Sequence, residues 1–183
     1  VENESVLGKL FSQFKKSQLP PLPKGPLQVL LFTTQPDDIG HSDQMRLDME
    51  SEQVRVLEAL DEFIQQGRVV LTAPDDGRLS VLRELLRTQP FHLVFLSGHG
   101  NFNADVFSDK HNQAFFLFEG DDGKSQRVAS QDLAQVFVGT AVQCVVLSAC
   151  ESGKTASDNL TAGLITSLAN IGIPHVVGMR ESV

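Results

Sequence analysis

Short apolar runs of strand length alternate with helix-spaced segments along most of the chain, and this alternation constrains the fold more than any single residue. Leu27 to Thr34 is an apolar run of strand length, and Leu47 to Gln66 carries Val54, Leu57, Leu60 and Ile64 at helical spacing before Gly67, a natural helix stop. The pattern continues as strand Arg68 to Thr72, helix Leu79 to Arg87, strand Phe91 to Ser97, helix Gln131 to Phe137 capped by Ser130, strand Gln143 to Ala149, helix Asn159 to Ile171 and strand His175 to Met179. Parallel strands need a crossover between them, so interleaved helices predict an α/β fold: a mostly parallel sheet with helices on both faces, in three α/β/α layers. His92 to Leu96 is apolar without alternation, as expected of a strand buried on both sides.

Asn101 to Ala129 interrupts the alternation. Ala114 to Phe118 and Ser125 to Val128 flank Asp121-Asp122-Gly123, which reads as a β-hairpin insertion expected to lie outside the main sheet. Ahead of the first strand, residues 5 to 16 place Val6, Leu7, Leu10, Phe11 and Phe14 at helical spacing, with Lys15 and Lys16 near the carboxyl end, where a helix dipole favours cations. Pro20, Pro21, Pro23 and Pro26 follow as a stiff linker. Residues 1–26 are thus read as an amphipathic helix and linker that packs on its own protein, and residues 27–183 as the domain proper.

Composition narrows the functional classes. The net charge is −8 and no block of Lys or Arg is long enough to grip a phosphate backbone, so nucleic acid is not expected as a partner. No apolar run approaches the roughly 20 residues of a membrane span, and the mixed, net-negative surface argues against a membrane partner. Two cysteines cannot build a disulfide framework; they suit a reducing compartment, and a cytoplasmic location is expected. The sequence opens Val-Glu-Asn-Glu-Ser, with neither an initiator Met nor a signal peptide, and is read as a processed or excised piece of something longer.

In parallel sheets, catalytic groups collect at the carboxyl ends of the strands. Two such ends carry chemistry here: Gly98-His99-Gly100 after one strand and Cys150-Glu151-Ser152-Gly153 after another. If the strands are neighbours, about 4.8 Å apart, imidazole and thiol can meet as a Cys-His dyad. The thiolate is then the nucleophile and His99 its base, while the backbone N–H groups of Gly100 and Cys150 can form an oxyanion hole. A dyad offers only two ligands, and no third Cys or His has suitable spacing, so neither a metal nor another cofactor is expected. Asp37, Asp38 and Glu151 are candidates for holding a basic substrate side chain. Cys144, His92 and His175 lie in apolar strands and are expected in the core, while His41 and His111 are expected in solvated loops.

Three stretches resemble the CHAT peptidases, caspase-like domains often attached to TPR repeats. They are Phe95-Leu-Ser-Gly-His-Gly100, Val145-Val-Leu-Ser-Ala-Cys-Glu-Ser-Gly153, and the span from Leu160 to Met179 with Gly163-Leu-Ile and Pro174-His-Val-Val-Gly178. Thr34-Gln-Pro-Asp37 through Leu47-Asp-Met-Glu50 is similar more loosely. His99 and Cys150 are 51 residues apart, against about 50 in caspases, but the caspase Gln before Ala-Cys is absent and the following Gly stands one residue further on. The resemblance implies a caspase-hemoglobinase fold and a cysteine endopeptidase with His99 as base and Cys150 as nucleophile. It also implies a protein substrate and regulation by adjoining domains, TPR repeats among them, or by processing. Such sheets carry a further strand and helices after the one read here as His175 to Met179. That strand is expected to be missing, or supplied by a separate carboxyl-terminal fragment. A catalytically silent interaction domain and another α/β thiol hydrolase are the alternatives; for the latter, Ser148 stands where a sharp elbow needs glycine.

Overall fold

The computed structural model describes the backbone of residues 24–39, 43–104, 112–151 and 157–179, and the side chains of 24–39, 50–100, 114–148 and 163–178. The amphipathic segment 5–16, most of the proline linker, His41 and His111 lie outside them. Among the described residues seven strands form one sheet: β1 (Leu27–Thr33), β2 (Val69–Thr72), β3 (Leu93–Ala104), β4 (Asn112–Glu119), β5 (Ser125–Ala129), β6 (Cys144–Glu151) and β7 (His175–Met179). The helices are α1 (Asp43–Gln65), α2 (Leu79–Thr88), α3 (Ser130–Val136) and α4 (Ser157–Asn170). The predicted α/β class with a mostly parallel sheet is what the chain adopts.

The parallel part runs β2-β1-β3-β6-β7, each strand hydrogen-bonded to the next. One face is packed by α2, α3 and α4. There Leu30, Phe32, Val94, Leu96, Val145 and Leu147 meet Leu82 and Leu86 of α2, Leu133 and Ala134 of α3, and Leu164 and Leu168 of α4 in one continuous core. These side chains come from alternate strand positions and, in α2 and α4, from helix positions four apart, the spacings that put residues on one face. At the start of α3, Ser130 is the first helical residue, buried, and Ala129 occupies the cap without a side-chain bond; the expected serine cap is not formed.

The hairpin departs from expectation. Its strands and turn fall where predicted, yet it belongs to the main sheet. The reason is the length of β3, which continues past the end of β1 and exposes a free backbone edge from His99 to Ala104. On that edge β4 pairs antiparallel, His99 opposite Leu117 and Gly100 opposite Phe116. Burial holds it there: Ala114, Phe116 and Phe118 are sealed against the core, with the Phe118 ring centroid 5.2 Å from Phe116 and 6.2 Å from Phe32. Ala114 meets α4 at Gly163, where a Cβ would stand 2.9 Å from the alanine methyl. The hairpin tip is tied to the loops after β1 and β2. Asp37 N–H donates to the Gly123 carbonyl (2.9 Å), and Arg78 Nη1 donates to Asp121 (2.9 Å).

Candidate active site

His99 sits inside β3, not in a loop beyond it. Leu93, Phe95, Ser97 and His99 alternate onto the sheet face that α1 covers, while Val94 and Leu96 face the core. Gly98 between them is required by space. A Cβ there would collide with Thr34 Oγ1 and lie 2.9 Å from the Phe116 ring. Thr34 is itself fixed: its N–H donates to the Ser97 carbonyl (2.9 Å), and its buried hydroxyl donates to the Leu117 carbonyl (2.7 Å). The end of β1, the middle of β3 and the end of β4 thus converge on a residue without a side chain, and the next residue is the histidine.

His99 is 4% exposed, and its Nδ1 has no hydrogen-bond partner among the described residues. Burial penalises the imidazolium and holds the pKa below the ordinary histidine range, so the ring is neutral at neutral pH and able to accept a proton. Two residues earlier, Ser97 Oγ donates to Glu52 of α1 (2.7 Å), and Gln53 Nε2 donates to Thr33 Oγ1 (2.6 Å). These bonds set α1 against the carboxyl ends of β1 and β3.

Across the parallel ladder, β6 runs beside β3 in a register that pairs Ser97 with Ser148, Gly98 with Ala149, His99 with Cys150 and Gly100 with Glu151. The strands are neighbours, as the dyad requires, and the histidine and cysteine backbones stand directly opposite each other. Strand separation puts those backbones roughly 4.8 Å apart. Gly100 is flanked in register on both sides, by Phe116 of β4 and Glu151 of β6.

The other cysteine and histidines differ. Cys144, at the opposite end of β6, is half-buried, and burial pushes its thiol pKa up, which disfavours the thiolate. His92 is half-buried, its Nδ1 accepting the Gln28 N–H (3.0 Å), and burial lowers its pKa. His175 is exposed, contrary to its expected place in the core, because the part of the α1-covered face that it occupies has no described element over it.

Asp38 accepts from both the N–H (2.6 Å) and the hydroxyl (2.9 Å) of Ser125, and Asp37 lies against the turn at Gly123. Glu151 is the last residue of β6. A carboxylate that the sequence reading did not single out ties the loops together. Glu119, at the end of β4, accepts the Gln35 N–H on Oε1 (2.9 Å) and the Gly77 N–H on Oε2 (3.1 Å), joining the loops after β1 and β2. Only its place at a strand end, ahead of Gly120, hinted at it.

Among the described residues no group of three or more His, Cys, Asp or Glu is arranged to hold a metal ion, and no helix is long and apolar enough to cross a membrane. No curated protein matches the chain. The sequence model of the CHAT domain matches residues 2–183, nearly the entire chain. With a mostly parallel α/β sheet that sets His99 opposite Cys150, and with that match, the chain belongs to the CHAT domain family.

Proposed function

We propose that this protein is a cysteine endopeptidase that works through a His99–Cys150 dyad. The observation that carries the reading is the β3–β6 register, which sets the two residues opposite each other on adjacent strands. In this reading His99, neutral because it is buried, takes the thiol proton of Cys150. The thiolate sulfur adds to the carbonyl carbon of the scissile peptide, forming the S–C bond, and the oxyanion is held by the N–H groups of Gly100 and Cys150. As the C–N bond breaks, the imidazolium returns its proton to the leaving amine. Water, deprotonated by the same imidazole, then hydrolyses the thioester and regenerates the thiol. Family membership supports a caspase-like peptidase, and the substrate is accordingly a protein. Asp37 and Asp38 serve the hairpin turn in this reading, since Asp38 meets Ser125 with both of its oxygens. Glu151 remains the candidate for holding a basic substrate side chain.

The test is the rate of Cys150 alkylation against pH, followed by mass spectrometry with Cys144 as internal control. The thiolate of Cys150 should appear well below the ordinary thiol value of about 8.5, and that shift should vanish in His99→Ala. Cleavage of a peptide library should be lost in Cys150→Ala and in His99→Ala. An ordinary thiol in both proteins would instead favour a silent interaction domain.

A further inference from the structure

The two faces of the sheet are covered unequally. On the core face Leu30, Val94 and Val145 are all fully buried. On the opposite face α1 lies over β1, and along the rows that start at Leu31 and Val29 burial decays in register away from it, while Ser97 and Ser148, one row higher, stay buried. Leu31 is 4% exposed, its partners Phe95 and Val146 are half-buried, and Val177 on β7 is 50% exposed. One row lower, Val29 is sealed, Leu93 and Cys144 are half-buried and His175 is exposed. A shallow cleft lined by Glu52 and Val56 of α1 and by Phe95, Ser97, Val146 and Ser148 marks the border. Beyond it, no described element covers β6 and β7 on this side.

We propose that residues 5–16 dock on this face as a helix beside α1, completing the layer that α1 begins. Five observations point to this segment. Val6, Leu7, Leu10, Phe11 and Phe14 give it an apolar stripe of the kind that packs on a sheet. Residues 17–26 connect it to β1 and span about 31 Å if extended as a proline-rich linker, while β6 lies only about 10 Å from β1, two strand spacings away. They enter at the correct end, because Leu27 opens β1 just below the level of Leu93, Cys144 and His175. Charge is complementary as well: Lys9, Lys15 and Lys16 have no acid among them between residues 5 and 16, whereas α1 carries seven acidic side chains against two arginines, with Glu52 on the flank that borders the cleft. The family match, moreover, begins at residue 2, so the segment belongs to the same domain as the sheet. The proposal is independent of the thiol chemistry.

Cys144, half-buried on this face, reports the outcome. In a Cys150→Ala background it is the sole thiol of the chain. The combined change Val6→Asp, Leu10→Asp and Phe14→Asp should raise Cys144 alkylation at least tenfold while circular dichroism keeps its folded signature. Lys9→Glu, Lys15→Glu and Lys16→Glu together should raise it by a smaller factor that shrinks in high salt. Equal rates in all these proteins would overturn the proposal, as would protection that disappears on dilution together with a dimer mass, which would show a second copy on the face. If the aspartate variant does not fold, Phe11→Trp decides instead, because the chain has no other Trp. Blue-shifted, quencher-resistant emission is expected from the docked helix; emission like that of a peptide in water would overturn it.

Discussion

Substituting Gly98 by Ala tests whether the meeting of β1, β3 and β4 sets the position of His99. The added methyl would strike Thr34 Oγ1 and press to 2.9 Å from the Phe116 ring. Neither neighbour yields easily. Thr34 is fully buried with its hydroxyl held by Leu117, and Phe116 is fully buried with its ring against Phe118. Overpacking of this kind costs about 1–3 kcal/mol, and pushing the hydroxyl off the Leu117 carbonyl adds about 1–2 kcal/mol, so the expected loss is about 2–5 kcal/mol. For a urea m-value of about 2 kcal/mol/M, that moves the unfolding midpoint down by about 1–2.5 M. Thr34→Ala removes one of the two obstacles. It should therefore cost less in the Gly98→Ala background than in wild type, and a double-mutant cycle measures that coupling directly. Cys150 alkylation in Gly98→Ala should also lose whatever dependence it has on His99, since the strand must shift to admit the methyl. A midpoint within about 0.3 M of wild type at unchanged m, with no coupling to Thr34, would refute the packing argument.

Other consequences follow from the same contacts. Glu119→Gln keeps one acceptor but turns an amide donor toward the other backbone N–H, so it should destabilise by about 1–3 kcal/mol and speed hydrogen exchange at Gln35 and Gly77. Unchanged exchange at both amides would show that the carboxylate is not what holds the two loops. His99 and His92 both have pKa values lowered by burial. The unfolded chain takes up protons near pH 6.5 and the native chain only below that, so stability is full above about pH 6.5 and falls as pH drops through the lowered native values. Urea midpoints measured from pH 7.5 to 5 should decline, and less steeply in His99→Gln; parallel curves would rule out His99 as a contributor.

Much of this arrangement was legible in the sequence, for physical reasons that differ by element. β1, β6 and β7 are nearly where their apolar runs place them, because strands of a parallel sheet, with at least one face packed on the core, announce themselves as runs of β-branched and aliphatic residues. The hairpin turn was readable from Asp121-Asp122-Gly123, and Gly123 has the positive φ of 77° that such a turn asks of glycine. The continuation of β3 was not readable. Gly98-His-Gly-Asn looks like a loop by composition, and only pairing with β4 and β6, supplied by residues far along the chain, makes it a strand. The exposure of His175 was hidden for a related reason, since whether a strand face is covered depends on which helix lies over it. Glu119 shows the third kind of gap: a lone acid acquires a task only when two distant loops bring their amides to it.

The length of β3 also orders events during folding. Its upper edge needs only the nearby hairpin, with Ala104 pairing to Asn112 eight residues on. Its lower partners demand far longer loops to close, back to β1 and forward to β6, where His99 and Cys150 are 51 residues apart. Hairpins form in roughly 1–10 μs, and pairings that close long loops come later because the chain entropy is lost before the contacts compensate it. A nascent or partly denatured chain that has built β3, β4 and β5 therefore holds the histidine in a finished strand while the cysteine has no neighbour. In the proposed dyad reading, thiol activation waits for the long-range pairing of β3 with β6, so that a half-made molecule carries no armed nucleophile among the unfolded chains around it.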